Sequence, residues 1–161
     1  MAIIFFSHGT ADYPIVESFK NELEQMNSEV YLFEHDRQPN QDITNKVQKN
    51  IDRADIVTVL LTKQSEHSAY VQQEIGYAER ARKPILPLVE TGTDPNSLAM
   101  LTGRQYISFD PSDPYRSLSA MQTFIHNHER EALYAGAAAA TAAIIILVLI
   151  VAYYKFKNQQ G

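Results

Sequence analysis

Cysteine is absent from this chain, so disulfides and thiolate zinc sites are excluded, which suits a cytoplasmic globular domain without requiring one. Glycine is scarce. The six glycines, at positions 9, 76, 92, 103, 136 and 161, never form G-x-G-x-x-G or a phosphate-binding P-loop, which argues against a Rossmann-type site that holds a dinucleotide as a redox cofactor. Basic residues are outnumbered, 14 Lys and Arg against 19 Asp and Glu for a net charge of −5. They form no stripe that would neutralise phosphates, so no nucleic-acid partner is expected. A G-x-S-x-G elbow is missing, and Ser7 and His8, adjacent in sequence, do not make a triad, which leaves little room for an acyl hydrolase. His126 and His128 lie two apart and fall on different faces of a helix, so no metal site is expected.

What is present reads as one domain and an appendage. Residues 1–130 are a typical single-domain length, enough to bury a proper core. Apolar runs and helical patterns alternate through them: strands over 2–7, 29–33, 55–62, 84–90 and 105–109, and helices over 12–26, 42–53, 68–82 and from 113 onward. Such alternation predicts an α/β fold, a parallel sheet of these five strands with helices on both faces. Asp12 is expected to N-cap the first helix, with Pro14 in its first turn and Val16, Phe19, Leu23 and Met26 as its buried stripe. The second helix is expected to bury Ile43, Val47, Ile51 and Ala54, and the last to turn Leu118, Met121 and Ile125 inward.

The appendage is apolar. From Ala132 to Tyr154 there are 23 residues without a charge, and Ala142 to Ala152 is continuously hydrophobic. As a helix this stretch spans roughly 34 Å, enough for a hydrocarbon core of about 30 Å. One transmembrane helix is therefore expected over 131–155, followed by a short polar tail, 156–161, with the lipid bilayer as partner. Tyr134 at one end and Tyr153 and Tyr154 at the other sit where interfacial aromatic belts occur, and Lys155 and Lys157 can anchor in head groups. The sequence shows no N-terminal signal peptide, so the simplest topology is a tail-anchored, single-pass protein of the cell membrane with its domain in the cytoplasm. The two lysines beyond the span oppose the positive-inside rule, but two charges are a weak bias. Small residues at Ala135–Ala140 permit close helix packing and self-association in the membrane, although such residues are common in spans generally.

Chemistry concentrates between Ile51 and Val89. A strand apolar enough to be buried on both faces, Asp55-Ile-Val-Thr-Val-Leu-Leu-Thr62, leads through a polar loop into a helix opened by Ser68. Val71, Ile75 and Ala78 face the core at helical spacing, and Tyr70, Glu74 and Tyr77 form the adjacent stripe. A carboxylate there lies at the carboxyl edge of a parallel sheet, where open α/β folds bind ligands. Helical glutamates are usually solvated and such tyrosines usually complete the packing, so spacing alone does not assign Glu74 a role.

Resemblance does. The run Ile51-Asp-Arg-Ala-Asp-Ile-Val-Thr-Val-Leu-Leu-Thr62, then Ser68 and Tyr70 ahead of Glu74, then Lys83-Pro-Ile-Leu-Pro-Leu-Val89, resembles the middle of a Toll/interleukin-receptor (TIR) domain of the prokaryotic kind. Ile3-Ile-Phe-Phe-Ser-His8 with Asp12 is similar to the family's first strand and first motif, and Val30-Tyr-Leu-Phe-Glu-His-Asp36 through Ile43 to its second strand and the loop after it. The resemblance covers roughly residues 2–130. It implies the TIR fold, a flavodoxin-like parallel five-stranded sheet with helices on both faces, and it implies that Glu74 is catalytic, with Tyr70 where relatives commonly carry tryptophan. The implied activity is an NAD+ nucleosidase that cleaves the nicotinamide N-glycosidic bond, giving ADP-ribose or a cyclic ADP-ribose-type product. NAD+ would be a substrate and no cofactor is implied.

Nicotinamide leaves a cationic sugar link as a neutral molecule, so no acid partner for Glu74 is needed, unlike the paired carboxylates of ordinary glycosidases. The implied pocket comprises Phe6, Ser7 and His8 at the end of the first strand, with Phe33, Ser68 and Tyr70. Arg37, in the polar loop 34–41, could approach a phosphate; the loop carries Pro39-Asn40 as its turn signal. Self-association through the TIR domain and a role in prokaryotic antiviral defence also come with the resemblance. A non-enzymatic TIR module that signals by assembly at the membrane is the alternative.

Overall fold

The structure is a computed structural model and describes residues 1–33, 43–94 and 101–158, with side chains as far as residue 148. The chain divides into two units, Met1–Ile125 and His126–Gly161. In the first, a five-stranded sheet runs in the order β2-β1-β3-β4-β5 with every pairing parallel. Its strands are β1 (Ile3–Ser7), β2 (Glu29–Tyr31), β3 (Ile56–Leu61), β4 (Ile85–Glu90) and β5 (Ile107–Phe109). Between them lie α1 (Tyr13–Gln25), α2 (Ile43–Arg53) and α3 (Ala69–Arg80), and α4 (Pro114–Asn158) follows β5.

All six residues of β3 are buried, as expected of a central parallel strand covered on both faces. Period-two alternation sorts the side chains into two cores. Ile4, Phe6, Ile56, Leu60 and Leu88 meet Val16, Phe19 and Leu23 of α1 and Leu118, Met121 and Ile125 of α4. Phe5, Val57, Val59, Leu61 and Val89 meet Ile51 of α2 and Val71, Ile75 and Ala78 of α3. The inward residues expected of α3 and α4 are thus buried. Ile43, expected to be buried, is 49% exposed instead, because it occupies the first position of α2 and the helix reaches the sheet only further along, at Ile51 and Ala54. Met26 is likewise 49% exposed, just past the end of α1.

Two helix ends close alike. After α3, Arg82 takes φ 56°, its N–H donates to Glu79 O at 2.9 Å, and that of Lys83 donates to Ala78 O at 2.9 Å. After α1, Asn27 takes φ 65°, with Asn27 N–H donating to Glu24 O and Ser28 N–H to Leu23 O. Both are Schellman closures, which satisfy the last carbonyls through one left-handed residue. Lys83 also ties α2 down: its Nζ donates to the carbonyls of Asp52 (2.6 Å) and Ala54 (2.8 Å), placing a cation at the negative end of that helix.

The second unit is helical through residue 158. Among the described residues there is one helix long and apolar enough to cross a membrane, and the apolar window within it is not covered by protein. Leu133, Tyr134 and Ile144 to Val148 are all more than half exposed.

Candidate functional site

The carboxyl ends of β1 and β3 gather most of the buried polar side chains of the first unit. Ser7 closes β1, where it pairs with Val59 of β3, and its side chain is 1% exposed. Its hydroxyl donates to Glu74 Oε2 at 2.5 Å, joining residues 67 apart in sequence. Glu74 stands on α3, one residue before Ile75 and three after Val71, both wholly buried against the sheet. That pinning turns the half-buried carboxylate toward the strand ends.

Beside this pair, the chain after β1 is locked to the chain after β3. Thr62 Oγ1 donates to Asp12 Oδ1 at 2.8 Å and lies 3.0 Å from Ser65 Oγ, which in turn accepts the Thr62 N–H at 2.9 Å. All three side chains are buried. Gly9 packs over them so closely that a Cβ added there would lie 2.7 Å from Ser65 Cβ and 3.1 Å from Asp12 Oδ2. Asp12 does hold the N-cap position of α1, yet its side chain makes no capping hydrogen bond; its Oδ1 accepts from Thr62 instead. Spacing could not reveal that. The available signals were a hydroxyl ending an apolar strand, Thr62, and the first-motif position of Asp12.

The other residues singled out from the sequence are dispersed. His8, just after Ser7, is held by its own strand: Nδ1 lies 3.1 Å from Phe6 O, and since a carbonyl only accepts, that nitrogen carries the proton. Its ring also lies 6.4 Å from that of Tyr13. Phe6 is 1% exposed and stacks on Phe19 inside the core. Phe33 is half-buried, two residues past the end of β2. Ser68 serves as the N-cap of α3, its hydroxyl accepting the Val71 N–H. Tyr70, one turn before Glu74, is 72% exposed. Tyr77 turns to α2, donating its hydroxyl to Asp52 Oδ2 at 2.9 Å with the Arg80 guanidinium 5.2 Å over its ring. The bond to Asp52 holds the Tyr77 phenol above its ordinary value of 10.0, with Arg80 pulling the other way. Arg37, Pro39, Asn40 and Asp42 lie outside the described residues.

The structure thus brings Ser7 and Glu74 into contact, with the Asp12–Thr62–Ser65 lock bracing the adjoining loops. An anchored carboxylate at such an edge can accept hydrogen bonds from a polyhydroxylated ligand and stabilise positive charge developing beside it. Among the described residues no group of three or more His, Cys, Asp or Glu side chains is placed to hold a metal ion.

A family model described as TIR domain matches residues 4–123. No curated protein matches the chain. Among solved structures, the TIR domains of the activated Roq1 resistosome, which directly recognises the pathogen effector XopQ, align with a TM-score of 0.65 at 12% identity, over 78% of this chain and 99% of that one. The TIR domain of the Toll-related receptor TRR-2 from Hydra magnipapillata gives a TM-score of 0.65 at 9% identity, over 80% of this chain and 99% of that one. The CMP N-glycosidase BcmB of Clostridium botulinum gives 0.54 at 18% identity, over 74% and 98% respectively. At these identities the likeness is one of fold.

Proposed function

Because the chain belongs to the TIR domain family, we propose that it is a membrane-anchored NAD+ nucleosidase with Glu74 as its catalytic residue. The observation that carries this reading is the half-buried Glu74 carboxylate at the carboxyl edge of the sheet, with Oε2 accepting the Ser7 hydroxyl. An N-glycosidase among the proteins of similar fold supports glycosidic-bond cleavage as the chemistry.

In this mechanism the ribose hydroxyls of NAD+ donate to Glu74. The bond between C1′ and the pyridinium nitrogen breaks, its electron pair neutralises the departing nicotinamide, and the negative carboxylate stabilises the oxocarbenium-like sugar left behind. Water adding at C1′ and losing a proton gives ADP-ribose; attack by a nucleophilic atom of the same molecule, with loss of a proton, gives a cyclic product. Proton donation to the leaving group is unnecessary, so one carboxylate suffices.

The apolar part of α4 anchors the protein as a single pass in the cell membrane with the TIR domain in the cytoplasm, where NAD+ is found. Crowding in the bilayer favours self-association of the TIR domains, and assembly gates the activity in prokaryotic antiviral defence. The deciding test is NAD+ consumption by the full-length protein in liposomes beside Glu74→Gln, with products separated chromatographically. Nicotinamide release by the wild type alone supports the reading. Absence of turnover at high density in liposomes sinks it and leaves a TIR module that acts by assembly.

A further inference from the structure

Ser7 and Glu74 meet as two groups held from opposite sides. Ser7 is the last residue of β1 and is fixed by pairing to Val59, and with 1% exposure it has no free face to offer a substrate. A serine hydroxyl has one proton to donate, and here it goes to Glu74 Oε2 at 2.5 Å. Glutamate has three rotatable side-chain bonds, and Glu74 projects from a helix whose neighbouring residues, Val71 and Ile75, are wholly buried. Backbone anchoring alone leaves its carboxylate several staggered positions. A hydroxyl fixed to the sheet selects one of them.

From this geometry we infer that Ser7 is a positioning residue: it holds one oxygen of Glu74 against the end of β1 and so fixes the pose of the carboxylate, without touching the ligand itself. This rests on the Glu74 reading above. The donor sits on a strand and the acceptor on a packed helix, so the arrangement exists before any ligand arrives, as preorganised sites require. The Asp12–Thr62–Ser65 lock sustains it by tying together the chain segments that leave β1 and β3. A substrate-binding serine and a positioning serine differ in what their loss does. The first weakens KM. The second lowers kcat and leaves KM nearly unchanged, because the ligand still binds but meets a carboxylate that wanders.

The experiment uses the full chain in liposomes, with Ser7→Ala, Ser7→Cys and Ser7→Thr compared with wild type after circular dichroism has established folding. Ser7→Ala and Ser7→Cys are expected to lose roughly 10- to 100-fold in kcat with KM within about threefold, and Ser7→Thr, which keeps the hydroxyl, to recover most of the loss. Alongside, proton NMR of the protein in detergent without substrate is expected to show a slowly exchanging Ser7 hydroxyl proton that vanishes in Ser7→Ala and moves in Glu74→Gln. A folded Ser7→Ala or Ser7→Cys whose kcat stays within about threefold of wild type, or a loss confined to KM, overturns the inference while leaving the NAD+ reading intact. A wild type that never consumes NAD+ sinks that reading instead, and the hydroxyl signal then judges the tie: its response to Glu74→Gln upholds the positioning of Glu74, and its absence overturns it.

Discussion

Gly9→Ala gives a sharp test of the lock between the two loops. The backbone at Gly9 is extended, with φ −75° and ψ 150°, a conformation any residue adopts. On that account alanine should be harmless, and by stiffening the unfolded chain it should stabilise by about 0.4–1 kcal/mol. Sterics predict the opposite. The new Cβ would stand 2.7 Å from Ser65 Cβ, whereas carbon contacts become ordinary at about 3.5 Å, so Ser65 would have to retreat by roughly 0.8 Å. It is poorly able to do so, because its hydroxyl accepts the Thr62 N–H, lies against Thr62 Oγ1, and is 1% exposed. Overpacking of this kind costs about 1–3 kcal/mol, which outweighs the entropic gain. Ser65→Gly removes the obstructing carbon at a cost of its own, since the buried Thr62 N–H loses its acceptor, about 1–3 kcal/mol. In that background Gly9→Ala should fall to near zero, so the pair shows a coupling of about 1–2 kcal/mol. Urea unfolding of the full chain in mild detergent measures all four proteins, and tyrosine fluorescence can report it because the chain has nine tyrosines and no tryptophan. Equal cost of Gly9→Ala in both backgrounds, or a stabilised single mutant, refutes the reasoning.

Arg82→Gly should raise stability by about 0.5–1 kcal/mol, because a side chain at φ 56° is strained where glycine is not, and an unchanged urea midpoint would contradict this. Lys83→Met keeps the aliphatic stem but removes the ammonium from the carbonyls of Asp52 and Ala54; a loss of about 1–2 kcal/mol is expected in the same assay, and a neutral result would mean water replaces the cation freely. Tyr77 predicts an alkaline limb. Its phenol is held above 10.0 by donation to Asp52, so its contribution is complete below pH 10 and is lost as pH rises through the raised value. Tyr77→Phe should therefore flatten the decline of the urea midpoint above pH 10, and parallel curves for the two proteins would exclude the bond as its cause.

The order of strands and helices was legible because the apolar runs carry their own signatures. Ile56 to Leu61 is rich in β-branched and apolar residues, with Thr58 its one polar member, as suits a strand covered on both faces, and α1, α3 and α4 show their inward residues at helical spacing. Less legible was where a helix first meets the sheet. Ile43 and Ile51 belong to one stripe on paper, yet only Ile51 is covered, because the distance from helix to sheet changes along α2 and periodicity carries no information on it. Polar side chains were harder still. Asp12 carries the signature of an N-cap and occupies that position, but the partner that claims its carboxylate is 50 residues away. Glu74 stood out in sequence only as a candidate, through its resemblance to a family motif, whereas its contact with Ser7 arises from the register of β1 on β3 and the packing of α3, neither of which local patterns encode.

Burial of polar side chains shows where this fold gives up ease of packing. Eight are buried among the described residues, and five of them, Ser7, His8, Asp12, Thr62 and Ser65, cluster where the chain leaves β1 and β3. Each costs desolvation that a hydrogen bond only roughly repays, so a sheet selected for stability alone would carry apolar residues there, as β3 does at five of its six positions. Asp12 sharpens the point, since its Oδ2 is buried with no hydrogen-bond partner among the described residues, while the N-cap bond it could have made goes unformed. What these groups provide is geometry. They join the two loops below Glu74 by directional bonds, and directional bonds hold side chains in one arrangement where apolar packing tolerates several. A carboxylate exposed on a mobile loop would need none of this, whereas the proposed role of Glu74, meeting a ligand in a fixed pose, does.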